Sequence, residues 1–195
     1  MKKAFLLATV LFISVISTAC INNFAVQELN NKAKAFMDKG DYTSAIERLK
    51  SSVDLDDTVF ETQYNLAVAY TKAEEYQNAI KAYNVASNLN PDFADLYYSR
   101  AVCEENLAKD IISGLLTVEE DGCIVKADKK NDDNEDTVVK NSDLPDYVVK
   151  AIVDNLVAAS DDYQIYADKI QDDSEKEEIK NKLEELNKLT ESYVK

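Results

Sequence analysis

Shifted by 34 places, the first half of this sequence falls largely onto itself. Gly40-Asp41-Tyr42-Thr43-Ser44-Ala45-Ile46 meets Glu74-Glu75-Tyr76-Gln77-Asn78-Ala79-Ile80. Leu49 meets Tyr83, Ser52 meets Ala86, Leu55 meets Leu89 and Asp57 meets Pro91. Ala33, Ala67 and Ala101 share one column, and Phe36 and Tyr70 share another. A period of this length constrains the fold more than any other feature, because a single unit cannot bury its own apolar face and must stack on its neighbour. The columns follow a packing logic. Small residues (Ala33, Ala45, Ala67, Ala79) stand where two helices must approach closely, and large ones (Phe36, Leu49, Tyr70, Tyr83) fill the layers between. Gly40-Asp41 and Glu74-Glu75 mark turns inside the units. Asn90-Pro91-Asp92 separates units, since Pro cannot continue a helix but suits its first turn.

These residues resemble the tetratricopeptide repeat family. The resemblance covers about residues 26–93 as two full units, with a third opening helix from Ala94 to about Lys109. It is strongest in the second unit, where Leu66-Ala67, Tyr70, Tyr76, Ala79-Ile80, Tyr83, Ala86, Leu89 and Pro91 all fit. In the first, Lys32 and Ser52 depart. In the third, Tyr97, Tyr98 and Ala101 fit, but Glu104 stands in the column of Phe36 and Tyr70 and no Gly-Asp-Tyr turn follows. That unit is degenerate, or its second helix is remodelled. The resemblance implies an all-α solenoid of helical hairpins whose first helices line a concave groove. Mapped onto this chain, the lining is Asn30, Lys34 and Met37, then Tyr64, Val68, Thr71 and Lys72, then Tyr98, Val102 and Glu105. Tyr64/Tyr98 and Val68/Val102 are each 34 apart, so each pair repeats on one face. Such a lining suits a peptide segment or a partner helix. The alternative is repeat filler, partly covered by the C-terminal helices. The family's clamp for a C-terminal carboxylate is not matched. It uses lysines where Asn30 and Asp95 stand, an arginine at Ser99 and an asparagine at Lys34, and only Asn65 agrees.

The N-terminus carries a second signal. Lys2 and Lys3 precede an uncharged stretch from Ala4 to Ala19 that ends in Ser17-Thr18-Ala19-Cys20. A basic start, an apolar run and small residues before a cleavage point form a secretory signal pattern, and the run is short for a membrane span. Ser17-Thr18-Ala19-Cys20 resembles the lipobox of bacterial lipoproteins, although Ser17 replaces the usual Leu. The resemblance implies a signal peptide over 1–19, removed before Cys20, and a diacylglycerol on the Cys20 thiol. Ordinary secretion and an uncleaved anchor are the alternatives. Acyl chains on Cys20, palmitate among them, would hold the protein at a membrane, since each buried CH₂ contributes ~0.8 kcal/mol. A tether over 20–25 leaves the folded part close to the surface. The expected place is extracytoplasmic, lipid-anchored at the cell membrane or the outer membrane.

Composition narrows the partners. The formal charge of −15 repels nucleic acid. Only 3 Gly and 2 Pro occur, which favours long helices. With no His there is no imidazole for proton transfer or metal binding. No Gly-x-Ser-x-Gly or phosphate-cradling loop is present. An enzyme is therefore not expected, no catalytic residue is assigned, and no cofactor or metal is called for. Cys103 and Cys123 could pair in an exported protein, but small packed thiols are the favoured reading.

The repeats are expected to extend over 26–121; in the last part of that span Ile111, Ile112, Leu115 and Leu116 lie at helical spacing, predicting a helix over 110–121 capped by Gly122. A hairpin turning at Asp121-Gly122 is the alternative. Residues 122–142 are expected to form an acidic loop. Asp132, Asn134, Asp136, Val139 and Asp143 resemble a calcium loop, but Thr137 replaces the sharp-turn Gly, so a solvated loop is the favoured reading. The segment 143–195 is predicted to be helical, opening at Asp143-Leu144-Pro145-Asp146. A capping-box pattern stands at Ser174-Glu175-Lys176-Glu177. These helices are expected to cap the array; an intermolecular coil is the alternative.

The functional expectation is a cell-envelope lipoprotein that binds a protein or peptide partner through its concave groove. The alternatives are a structural or surface-exposed lipoprotein with no dedicated groove, and a divalent-cation-binding protein acting through the loop at 128–143.

Overall fold

The 34-residue columns are realised as helical hairpins. The computed structural model describes residues 23–127 and 144–194. It contains α1 (23–37), α2 (Tyr42–Leu55), α3 (Phe60–Lys72), α4 (Tyr76–Leu89) and α5 (Ala94–Ile112). A two-stranded hairpin follows, β1 (Leu116–Val118) and β2 (Ile124–Lys126), then α6 (Asp146–Lys169) and α7 (Asp173–Tyr193). Two compact units are formed. One holds the described residues up to Glu75 together with Lys81–Asn90, and the other holds Tyr76–Ile80 with the described residues from Pro91 onward.

In the first unit, α2 packs against α3. Ala33, Ala45 and Ala67 are buried, which lets the helices approach closely, and Leu49 fills the layer between them. The turns at 40 and 74 are the same structure. Asp41 N–H donates to Phe36 O at 3.0 Å and Gly40 N–H to Met37 O at 2.9 Å. Thirty-four residues on, Glu75 N–H donates to Tyr70 O at 2.9 Å and Glu74 N–H to Thr71 O at 3.1 Å. Both close a helix through a left-handed residue. Gly40 takes φ 74° without strain, whereas Glu74 takes φ 59° with a side chain. Asp41 then caps α2, its carboxylate accepting from Ser44 N–H at 3.1 Å. Ser52, the departure from the repeat pattern, also has a reason. It is fully buried and takes a hydrogen bond from Asn30 Nδ2 at 3.0 Å, while buried Thr62 takes another at 2.8 Å. One amide thereby ties α1, α2 and α3.

In the second unit, α5 packs along α6, and α6 against α7. The missing second helix of the third repeat is therefore α6, displaced by an insertion over 113–145. The first helices of the other repeats turn at 40 and 74, so a third turn belongs at 108. Ala108 is instead buried inside a continuing α5 of 19 residues. The helix ends only at Ser113-Gly114, where Gly114 takes φ 73°.

The predicted helix over 110–121 is thus corrected: only its first residues are helical. Leu116 pairs with Lys126 and Val118 with Ile124 in an antiparallel hairpin, turning at Asp121-Gly122 as in the alternative reading. Val118 is buried beneath the hairpin, which packs on α5 and α6. The start of α7 is also corrected. Its cap is Asp172, whose carboxylate accepts from Ser174 N–H at 2.9 Å and Glu175 N–H at 3.1 Å, so Ser174 is not the capping residue. The helix α6 runs for 24 residues and buries Ile152, Leu156, Tyr163 and Tyr166. Cys103 is buried, Cys123 is exposed, and neither is in a disulfide. Among the described residues, no helix is long and apolar enough to cross a membrane. Cys20 and the calcium-like loop (Asp132, Asn134, Asp136, Val139, Asp143) lie outside the described residues.

Candidate functional site: an aromatic and charged cleft beside α5

The ten groove positions divide between the two units. In the first, Asn30 is half-buried and its amide is committed to Val26 O, Ser52 and Thr62. Lys34 and Lys72 are exposed, and Met37 is half-buried. Tyr64 and Thr71 surround a buried Tyr83. The Tyr64 and Tyr83 rings meet edge to face at 5.9 Å, and the Tyr83 hydroxyl lies 3.5 Å from Thr71 Oγ1. Phe60 stacks on Tyr64 at 5.8 Å, and Val68 remains half-buried. Tyr64, Val68 and Lys72 recur every fourth residue, which places them along one side of α3.

In the second unit, Tyr98, Val102 and Glu105 line a cleft of about 610 Å³ with α6 and α7. This is within the ~300–1,000 Å³ range of ligand pockets. Three tyrosines front it. Tyr98 is 42% exposed, and its ring meets Tyr163 at 5.6 Å and Tyr166 at 5.2 Å. The Tyr166 hydroxyl donates to Glu175. Burial, and then the hydrogen bond and charge of Glu175, push the Tyr166 phenol well above its usual range. That hydroxyl keeps its proton at any physiological pH.

Glu105 closes the other end of the cleft. It is buried, and its Oε1 accepts from Lys109 at 2.5 Å and Lys182 at 2.7 Å. Its other oxygen accepts from the Tyr163 hydroxyl at 3.1 Å. Burial alone would raise this carboxyl, but the two ammonium groups outweigh burial and hold it below the usual carboxylate range. Glu105 is therefore an ionised anchor joining α5, α6 and α7. Its neighbour Glu104 is the opposite case. It too is buried, and Oε2 has no hydrogen-bond partner. Burial and the charge of Asp162 push it up to about 8, while Arg100 opposes them. Arg100 is itself engaged by Asp162 in a two-point ion pair, Nε–Oδ2 at 2.6 Å and Nη2–Oδ1 at 2.7 Å.

Sequence reasoning did not assign Lys109, Tyr163, Tyr166, Glu175, Glu178 or Lys182 to a site. Tyr163 and Tyr166 are three residues apart and so share a helix face, but the insertion removes the fixed spacing that would place them opposite Tyr98.

Comparison with known proteins agrees with this fold. Residues 36–103 match the tetratricopeptide repeat family. The first tetratricopeptide domain of Spaghetti (RPAP3), solved bound to an HSP90 peptide, superposes with a TM-score of 0.53 at 16% identity; the match covers 84% of this chain and 91% of that one. The second such domain of human RPAP3, solved with an HSP70 peptide, gives 0.54 at 13%, over 84% and 98%. The first domain of the human protein gives 0.52 at 16%, over 85% and 94%. A comparison with curated protein sequences gives no match. The fold is an all-α tetratricopeptide-type solenoid, and its repeat segment at residues 36–103 is similar in sequence to the tetratricopeptide family.

Proposed function

We propose that this protein is a binding module of the bacterial cell envelope, tethered through lipid on Cys20, that holds a protein or peptide partner on the inner side of its repeat helices. The fold supports a module of this kind, and tetratricopeptide domains of similar architecture have been solved with bound peptides. The observation that carries the reading is Tyr98. A large aromatic 42% exposed at the mouth of a cleft is free to meet a ligand. Tyr64, at the equivalent position of the preceding repeat, offers the first unit's counterpart. The basic start, apolar run and Ser17-Thr18-Ala19-Cys20 support the lipid anchor.

Two measurements test this reading. Cells fed an alkyne-bearing palmitate should label the wild-type protein and not Cys20→Ser, and the variant should leave the membrane fraction. Crosslinking in intact envelopes should trap a defined partner, and Tyr64→Ala with Tyr98→Ala should abolish the adduct without lowering the melting temperature of the purified protein by more than a few degrees. An adduct that survives the double change favours the second reading, a structural lipoprotein without a dedicated groove. The internal commitments of Asn30 and Glu105 speak for that reading.

A further inference from the structure

The cleft beside α5 has two unlike ends. At one end, Lys109 and Lys182 both donate to the same oxygen of Glu105, and Lys182 also lies 3.9 Å from Glu185, so both cations already have acidic partners. Glu175 and Glu178 line the same cleft as Tyr98 and Tyr166, and Glu175 accepts from the Tyr166 hydroxyl. Among the described residues no lysine or arginine pairs with either glutamate: Lys180 is taken by Glu177 and Lys182 by Glu105. Asp95, exposed and one turn before Tyr98, adds to the negative field felt at Tyr166. The Tyr166 hydroxyl directs its proton to Glu175, so it offers no competing donor to the cleft. Aromatic faces next to uncompensated carboxylates attract a cation from two directions, by the ring quadrupole and by charge. An anionic group would meet repulsion at this end and find the lysines of the other end already engaged.

We propose that the Tyr98, Tyr166, Glu175 and Glu178 end of the cleft receives a lysine or arginine side chain from a partner polypeptide. This rests on the reading of the chain as a binding module and assigns the chemistry of its partner.

The test is a titration of the full chain, in detergent, with rhodamine-labelled hexalysine and hexaglutamate, followed by fluorescence polarisation. Hexalysine should bind and hexaglutamate should not. Glu175→Gln with Glu178→Gln should weaken hexalysine binding by about tenfold, because the amides keep the shape and the acceptor for Tyr166 while removing the charge. Tyr98→Leu should weaken it severalfold, since leucine preserves apolar packing but has no aromatic face. The control is Glu47→Gln with Asp54→Asn on α2, which changes the net charge equally and should shift binding by less than about twofold. Equal losses in the site and control pairs would overturn the proposal, as attraction to the acidic surface at large. So would absence of hexalysine binding, or comparable binding of hexaglutamate. A crosslinked envelope partner that persists in the Glu175→Gln, Glu178→Gln protein would remove the basic-segment chemistry and leave the binding-module reading standing.

Discussion

Glu104 and Glu105 are adjacent on α5, both are buried, and their protons behave oppositely. Glu105 has two ammonium partners and is held ionised. Glu104 has Arg100 nearby, but that cation is shared with Asp162. The signs of the linkage follow. Glu104 has a folded pKa of about 8, above its unfolded value, so its contribution is fully present below the ordinary glutamate range. That contribution is lost as pH rises to about 8. Glu105 is depressed, so its contribution is present above the ordinary range and is lost as pH falls through its folded value. Glu104→Gln should therefore flatten the fall in unfolding free energy between pH 5 and 8 and add about 1–3 kcal/mol at pH 8. Urea titrations across that range check it; an unchanged slope would reassign the pH dependence to other groups. The sequence already flags this residue, because a glutamate stands where the other repeats carry Phe36 and Tyr70. It does not reveal the consequence, which depends on Asp161 and Asp162 arriving from α6, far along the chain.

At the scale of elements, the turns repeat more faithfully than the residues that make them. Gly40 and Glu74 occupy the same left-handed position with the same hydrogen bonds. A side chain there costs up to ~1–2 kcal/mol. Glu74→Gly should therefore raise stability, by about 1 kcal/mol once the looser unfolded chain is counted. Thermal melts of the variant provide the check, and a lower melting temperature would mean the Glu74 side chain contributes more than its backbone costs. These hairpins were legible from the period alone, because small and large columns specify close and distant helix approaches. The end of α5 was not. Ile111, Ile112, Leu115 and Leu116 form a row that runs across a helix end into a strand, and three-residue strands are too short to declare a period of two. The turn residues Asp121-Gly122 were the better guide. The start of α7 slipped for a similar local reason: Asp172 and Ser174 are both capping types, and only backbone geometry decides which one caps.

On the scale of the whole chain, the segment inserted between α5 and α6 changes what holds the third repeat together. The first two repeats close through neighbours in sequence. The third closes across long separations: Arg100 reaches Asp162 over 62 residues, and Glu105 reaches Tyr163 over 58. This is also why its half of the candidate site was hidden, since α6 and α7 answer to no 34-residue column. Cys103 and Cys123 report on this closure. Cys103 is fully buried beside Tyr163, whereas Cys123 is open. In the folded protein a maleimide should modify Cys123 within minutes and leave Cys103 unmodified. Equal labelling of both would show that α6 does not stay seated on α5.

A chain delivered amino end first makes Arg100 long before Asp162, and Glu105 long before Tyr163 and Lys182, with only Lys109 at hand. During that interval α5 presents a row of side chains suited to an interior, with the partners from α6 and α7 still to come. Nascent or truncated forms ending before Asp146 should accordingly expose Cys103 to thiol reagents. The completed protein would then owe the order of its birth, as much as its contacts, to where the extra segment was placed.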